Sequence, residues 1–183
     1  MSSLGVTFPS PVLVLEDDHA MQQRLQRILY GLGYAANLLL FADTLSCALK
    51  LLTQHTIPMA IVDLGLPDGH GQTFIEALHK KNPNSLILVI SAWKTQDAIL
   101  NTIEAGATGY ILKERDDLEL AISIRNTLQG GTPIDPFIAK QILRKFIPLH
   151  KIAMPTKSDT RSKRELEILE LITKGLSHPL THN

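Results

Sequence analysis

The chain has 183 residues, 44% of them hydrophobic and 20% charged, which is the balance of a folded globular protein and excludes a disordered or fibrous one. That length accommodates one well-buried domain with an appendage and falls short of two domains of usual size. Basic and acidic side chains number 18 each, so net charge marks no nucleic-acid or membrane partner.

Short apolar runs alternate with amphipathic segments along most of the chain, the pattern of a parallel sheet covered by helices on both faces. The first run, Val12-Leu13-Val14-Leu15, ends in Glu16-Asp17-Asp18, and the spacing of Met21, Leu25, Ile28 and Leu29 predicts a helix stopped by Gly31-Leu32-Gly33. Leu38–Phe41 is the next strand, and Asp43 or Thr44 caps a helix that turns Leu45, Ala48, Leu49 and Leu52 inward. Met59-Ala60-Ile61-Val62 runs directly into Asp63, followed by a loop rich in Gly and Pro through Gly71. Phe74, Ile75 and Leu78 mark a helix ending near Asn82-Pro83. Leu86–Ile90 forms a buried strand ending at Ser91, and Thr95 caps a helix that Gly106 ends. Gly109–Leu112 is a short strand ending at Lys113, and Asp116 or Asp117 starts a helix reaching Gln129-Gly130-Gly131. The expected fold is therefore α/β, a five-stranded parallel doubly wound sheet of flavodoxin-like type, with helices added at the C-terminus.

Past residue 130 the character changes. Asp135-Pro136 reads as the cap and first residue of a helix with Ile138, Ile142, Leu143 and Phe146 on one face. Residues 148–161 are polar with two prolines and read as a linker, and Ser162-Lys163-Arg164-Glu165 is a capping box opening a last helix. Residues 1–130 hold 9 basic and 13 acidic side chains, whereas residues 131–183 hold 9 and 5, an acidic body with a basic tail. The organisation expected is a domain over 11–130, a helix and linker over 131–161, and a small segment over 162–183.

The chemistry is carried by what stands at the strand ends. In a parallel sheet, Glu16 and Asp17, Asp63, Ser91 and Lys113 all come to one edge. Clustered carboxylates repel one another unless a cation joins them, and hard oxygen donors suit Mg²⁺. The set is fitted to phosphoryl transfer, which is mostly positioning and charge neutralisation. Asp63 is the candidate nucleophile and phosphoacceptor. Glu16, Asp17, Asp63 and the backbone carbonyl at Gly65 would hold the metal, with Ser91 and Lys113 contacting phosphoryl oxygens. Each residue alone has a plainer reading, as a helix cap or a solvated lysine; their order at successive strand ends is what argues for a site.

The segments "VLVLEDD", "AIVDLGLPDGHG", "LILVISAW" and "GATGYILKE" resemble, in order and spacing, the signature segments of the response-regulator receiver family, over about residues 11–130. The resemblance implies that Glu16 and Asp17 are the acidic metal pair and Asp63 the phosphoacceptor. It implies further that Ser91 is the switch hydroxyl, Tyr110 the switch aromatic and Lys113 the phosphoryl-binding lysine. Asp18 reads as a helix cap. Glu114 stands where many receivers have proline, and the form without proline resembles the NarL/LuxR subfamily. Trp93 borders the phosphoryl site, where its ring would limit water access. The family's partner is a sensor histidine kinase, and phosphorylation would turn Tyr110 inward and favour a homodimer.

Residues 162–177 resemble the opening of a LuxR-type helix-turn-helix, but the pattern breaks at His178-Pro179, and no recognition helix follows. Sequence-specific DNA binding is therefore not expected of this chain. A haloacid-dehalogenase-like phosphatase would require a second aspartate where Gly65 stands, and a flavodoxin-like cofactor binder would not place three acidic residues after its first strand. The reading is a signalling module and not a turnover enzyme. The lone Cys47, the absence of a signal-peptide pattern and the lack of any apolar run near ~20 residues lead to an expected cytoplasmic location without membrane contact.

Overall fold

The structure is a computed structural model, which describes residues 8–146. Seven strands and six α-helices follow in order: β1 (Val12–Leu15), α1 (His19–Gly31), β2 (Leu39–Ala42), α2 (Leu45–Gln54), β3 (Met59–Val62), β4 (Gly65–Leu66), β5 (Gly69–His70), α3 (Gly71–Lys81), β6 (Leu86–Ser91), α4 (Gln96–Glu104), β7 (Gly109–Leu112), α5 (Asp117–Leu128) and α6 (Pro136–Phe146). Five strands form one parallel sheet in the order β2-β1-β3-β6-β7, the doubly wound arrangement expected; β4 and β5 make a separate small hairpin.

The central strands are apolar at every position because both faces of the sheet are covered. Their period-two alternation divides the core. Leu13, Leu15, Ala60, Val62, Ile87, Val89, Tyr110 and Leu112 face α2, α3, α4 and α6, whose Ala48, Phe74, Ile75, Ile99 and Ile138 complete that layer. Val12, Val14, Met59, Ile61, Leu88, Ile90 and Ile111 face α1 and α5, through Leu25, Leu29, Leu120 and Ile124. Full burial of each large aliphatic side chain contributes about 1.5–3 kcal/mol.

Helix starts follow local chemistry. Asp18 accepts from Ala20 N–H, Thr44 from Cys47 N–H, and Asp116 and Glu119 form a reciprocal capping box on α5. Thr95 precedes α4 without a side-chain cap bond, contrary to the sequence expectation. Leu143, expected on one face of α6 together with Ile138, is 55% exposed, whereas Ile138 is fully buried. The loop after Asp63 contains the β4–β5 hairpin, and α3 starts against it at Gly71. A Cβ on Gly71 would lie 2.0 Å from the carbonyl oxygen of Asp63, so only glycine lets the helix start this close to the end of β3.

The fold continues past residue 130. Tyr110 N–H donates to Pro133 O at 3.0 Å, and Asp135 N–H donates to Tyr110 O at 2.9 Å, so residues 133–135 run parallel beside β7. Residues 162–183, with the expected helix-turn-helix start, lie outside the described residues. Among the described residues no helix is long and apolar enough to cross a membrane.

Candidate metal and phosphoryl-acceptor site

The C-terminal ends of β1, β3, β6 and β7 bring Glu16, Asp63, Ser91 and Lys113 to one edge of the sheet. Glu16 is held by its backbone on both sides: its N–H donates to Ala42 O at 3.0 Å, and its carbonyl accepts from Gln22 Nε2 at 2.6 Å. Asp63 N–H donates to Leu15 O at 2.8 Å, and Lys113 N–H to Ser91 O at 3.1 Å. The ladder thus extends one residue beyond β1, β3 and β7 and fixes where the functional side chains begin.

Lys113 reaches back across the sheet edge, its Nζ donating to Glu16 Oε1 at 2.7 Å and to Asp63 Oδ2 at 2.8 Å. Both acids are buried, at 1% and 6% exposure, while the lysine is partly open. Asp63 Oδ1 accepts from Leu64 N–H at 2.7 Å. Burial pushes the Glu16 carboxyl above its ordinary range, against the pull of the Lys113 ammonium and the Asp18 N–H. Burial also works against the charge on Lys113, yet its bonds to Asp63 and Glu16 prevail and hold it above the ordinary lysine range.

Glu16, Asp17 and Asp63 each offer a carboxylate oxygen, and these atoms lie within 4.8 Å of one another. Glu16 Oε2 is buried without a hydrogen-bond partner. A buried, unsatisfied carboxylate oxygen among hard oxygen donors fits a small divalent cation, and exposed Asp17 leaves the approach open to water. The residues present therefore could hold a metal ion.

Gly65 sits beside the carboxylate: a Cβ there would be 3.9 Å from Asp63 Oδ2 and 3.6 Å from Trp93 Nε1. Trp93, 42% exposed, packs edge-on against His70 with ring centroids 4.7 Å apart. Tyr110 is fully buried, with its hydroxyl donating to Trp93 O at 2.9 Å. Its side chain is thus already inside the protein. Burial pushes its phenol up to about 12, with the Asp63 charge adding and a hydrogen bond with Ser91 opposing. Ser91 is fully buried at the end of β6.

Two participants had no signal in the sequence. His70 enters only because the hairpin folds it against Trp93. Arg24, on α1, reaches the carbonyls of Lys113 and Arg115 from about 90 residues away in the chain. Gly71 was visible as part of a turn-rich stretch, but its tight approach to Asp63 was not.

This geometry defines a doubly wound α/β protein whose working groups lie beyond the carboxyl ends of its strands. Residues 12–125 match the model of the response regulator receiver domain, and the chain belongs to that family. It is a receiver domain of a two-component response regulator, a signalling protein. It is similar to the oxygen regulatory protein NreC of Staphylococcus epidermidis, with 29% identity over 171 residues, covering 89% of this chain and 77% of the relative. Among solved structures, a LuxR-family two-component response regulator from Aurantimonas sp. has a TM-score of 0.64 at 22% identity, covering 75% of this chain and 97% of that one. A CheY-like receiver domain protein from Methanospirillum hungatei has a TM-score of 0.60 at 25% identity, covering 65% and 93%.

Proposed function

We propose that Asp63 accepts a phosphoryl group from the histidine of a sensor kinase, and that Mg²⁺ held by Glu16, Asp17, Asp63 and the Gly65 carbonyl is required. The observation that supports this most directly is Lys113 bridging the two buried carboxylates at 2.7 and 2.8 Å. When bound, the metal supplies charge neutralisation for the transferring phosphoryl group. A carboxylate oxygen of Asp63 forms the new bond to phosphorus, and the bond from phosphorus to the donor's imidazole nitrogen breaks, its electron pair leaving with the imidazole. Lys113 exchanges its contact with Asp63 for one with a phosphoryl oxygen, and Ser91 donates a hydrogen bond to another. Trp93 borders the phosphoryl group and restricts the water that would hydrolyse it.

The output is a population shift: Ser91 moves toward the phosphoryl group, Tyr110, already turned inward, is held in place, and the surface around α4, β7 and α5 favours a homodimer. The NtrC4 receiver, a solved neighbour, forms a dimer when activated by beryllofluoride. In this reading the receiver occupies about 11–130, followed by a helix and linker over 131–161 and a small segment over 162–183. In the same reading the chain is a cytoplasmic signalling module without enzymatic turnover.

Intact mass after incubation with acetyl phosphate tests the chemistry. The expected result is one added phosphoryl group, dependent on Mg²⁺ and absent in Asp63→Asn. An adduct that survives the substitution would assign the chemistry to another residue.

A further inference from the structure

Lys113 can serve the site only if the chain after β7 holds its backbone still. The next residue is Glu114, whose φ no ring restrains, so the order of this loop must come from contacts. One side chain supplies several of them. Arg24 Nη1 donates to Lys113 O at 3.1 Å, Nη2 donates to Arg115 O, and Nε donates to Asp117 Oδ1 at 2.6 Å. The planar guanidinium satisfies two loop carbonyls and one carboxylate at the start of α5, a fork that a single ammonium does not reproduce. Two residues earlier on α1, Gln22 holds the Glu16 carbonyl at 2.6 Å. One helix thus grips the backbone of both partners in the 2.7 Å Glu16–Lys113 pair.

We propose that Arg24 is a positioning residue for phosphoryl transfer, acting through the backbone of Lys113. This rests on the reading that Asp63 is the phosphoacceptor. Removing Arg24 frees the loop, and the Lys113 ammonium no longer spends its time where a phosphoryl oxygen must be met. Because the metal is assigned to Glu16, Asp17 and Asp63, metal binding should change little.

The test uses the full chain and its only tryptophan, Trp93, as a fluorescent reporter beside the site. Mg²⁺ alone, beryllofluoride with Mg²⁺, and the rate of labelling by acetyl phosphate are measured for wild type, Arg24→Ala, Lys113→Ala and the double variant. Arg24→Ala is expected to weaken beryllofluoride binding and slow labelling by about tenfold, the scale seen when an outer partner of a site is removed, with Mg²⁺ affinity within about twofold. In the Lys113→Ala background, the same substitution should add nothing. Asp117→Asn, which keeps the carbonyl contacts, should stay within about twofold of wild type, and Arg24→Lys should fall between wild type and Arg24→Ala. These two variants decide the matter if Arg24→Ala fails to fold. An equal loss in the Lys113→Ala background, a parallel loss of Mg²⁺ affinity, or Asp117→Asn matching Arg24→Ala would overturn the proposal. If wild type takes no phosphoryl group and Lys113→Ala changes nothing, the phosphoacceptor reading itself fails, and this proposal with it.

Discussion

At the scale of single residues, the site is shaped by how far each side chain is allowed out of the core. Trp93 is a large aromatic at its rim, held by an edge contact to His70 and lying against Gly65. An indole in that position occupies volume through which water would approach an acyl phosphate on Asp63. Trp93→Ala is therefore expected to shorten the lifetime of the phosphorylated form about threefold or more, a barrier change of about 0.7 kcal/mol. Loss of label after removal of acetyl phosphate, followed by intact mass, checks this. An unchanged rate would reduce Trp93 to a packing residue. Glu16 illustrates the opposite constraint. The folded state raises its pKa, so the fold binds that proton more tightly than the unfolded chain does. Its contribution favours folding at acid pH and is lost as pH rises from its ordinary ~4.3 through the raised value. A cation beside Oε2 would remove that conflict.

At the scale of elements, the loop 113–117 joins the site to the rest of the molecule, each of its residues bonded to a different part. Lys113 binds Glu16 and Asp63; Glu114 pairs with Lys94; Arg115 with Asp135; Asp116 caps α5; and Asp117 pairs with Arg24. The Asp135 carboxylate is buried, takes two bonds from Arg115 at 2.6 and 2.9 Å, and caps α6 by accepting from Phe137 N–H at 2.9 Å. Burial works to raise its pKa, but the Arg115 and Phe137 bonds outweigh this and hold it below the ordinary carboxylate range. Its stabilisation is thus full above an ordinary ~3.9 and lost as pH falls below that through the depressed value. Asp135→Ala should cost about 0.5–2 kcal/mol in urea unfolding at pH 7 through loss of the cap, whereas Asp135→Asn, still able to cap, should cost less and lose the acid-dependent part. Equal losses in the two variants would make the Arg115 pairing and not the cap the main contribution. Much of this was legible in the sequence, and for a physical reason. Fully buried parallel strands are uninterrupted apolar runs, so their ends, and hence Glu16, Asp63, Ser91 and Lys113, can be read directly. The β4–β5 hairpin was not, because two-residue strands have no period to detect. The Asp135 cap was read, but the Arg24 contacts and the Arg115–Asp135 pair were not, because a polar side chain gives no sign of what it will meet 20 or 90 residues along the chain.

At the scale of the whole molecule, the question is where the receiver ends. The apolar pattern and the glycine pair suggest residue 130, yet the sheet has a further neighbour. Residues 133–135 satisfy the N–H and C=O of Tyr110 on the outer edge of β7, and Ile138 is fully buried against the layer that includes Ile99 and Tyr110. A chain shortened to end at Gly131 would leave that edge unpaired and expose apolar surface beside Tyr110. The loss of Ile138 alone is worth about 1.5–3 kcal/mol, and each of the two edge bonds about 0.5–1.5 kcal/mol. The expectation is a lower urea midpoint for the chain ending at Gly131 than for one ending at Phe146, together with a greater tendency to self-associate, visible in sedimentation. Equal midpoints would mean that 133–146 is carried by the receiver without supporting it. A lower midpoint would make α6 a structural member of the domain, its buried Ile138 and the pairing of residues 133–135 with Tyr110 completing the layer beside β7.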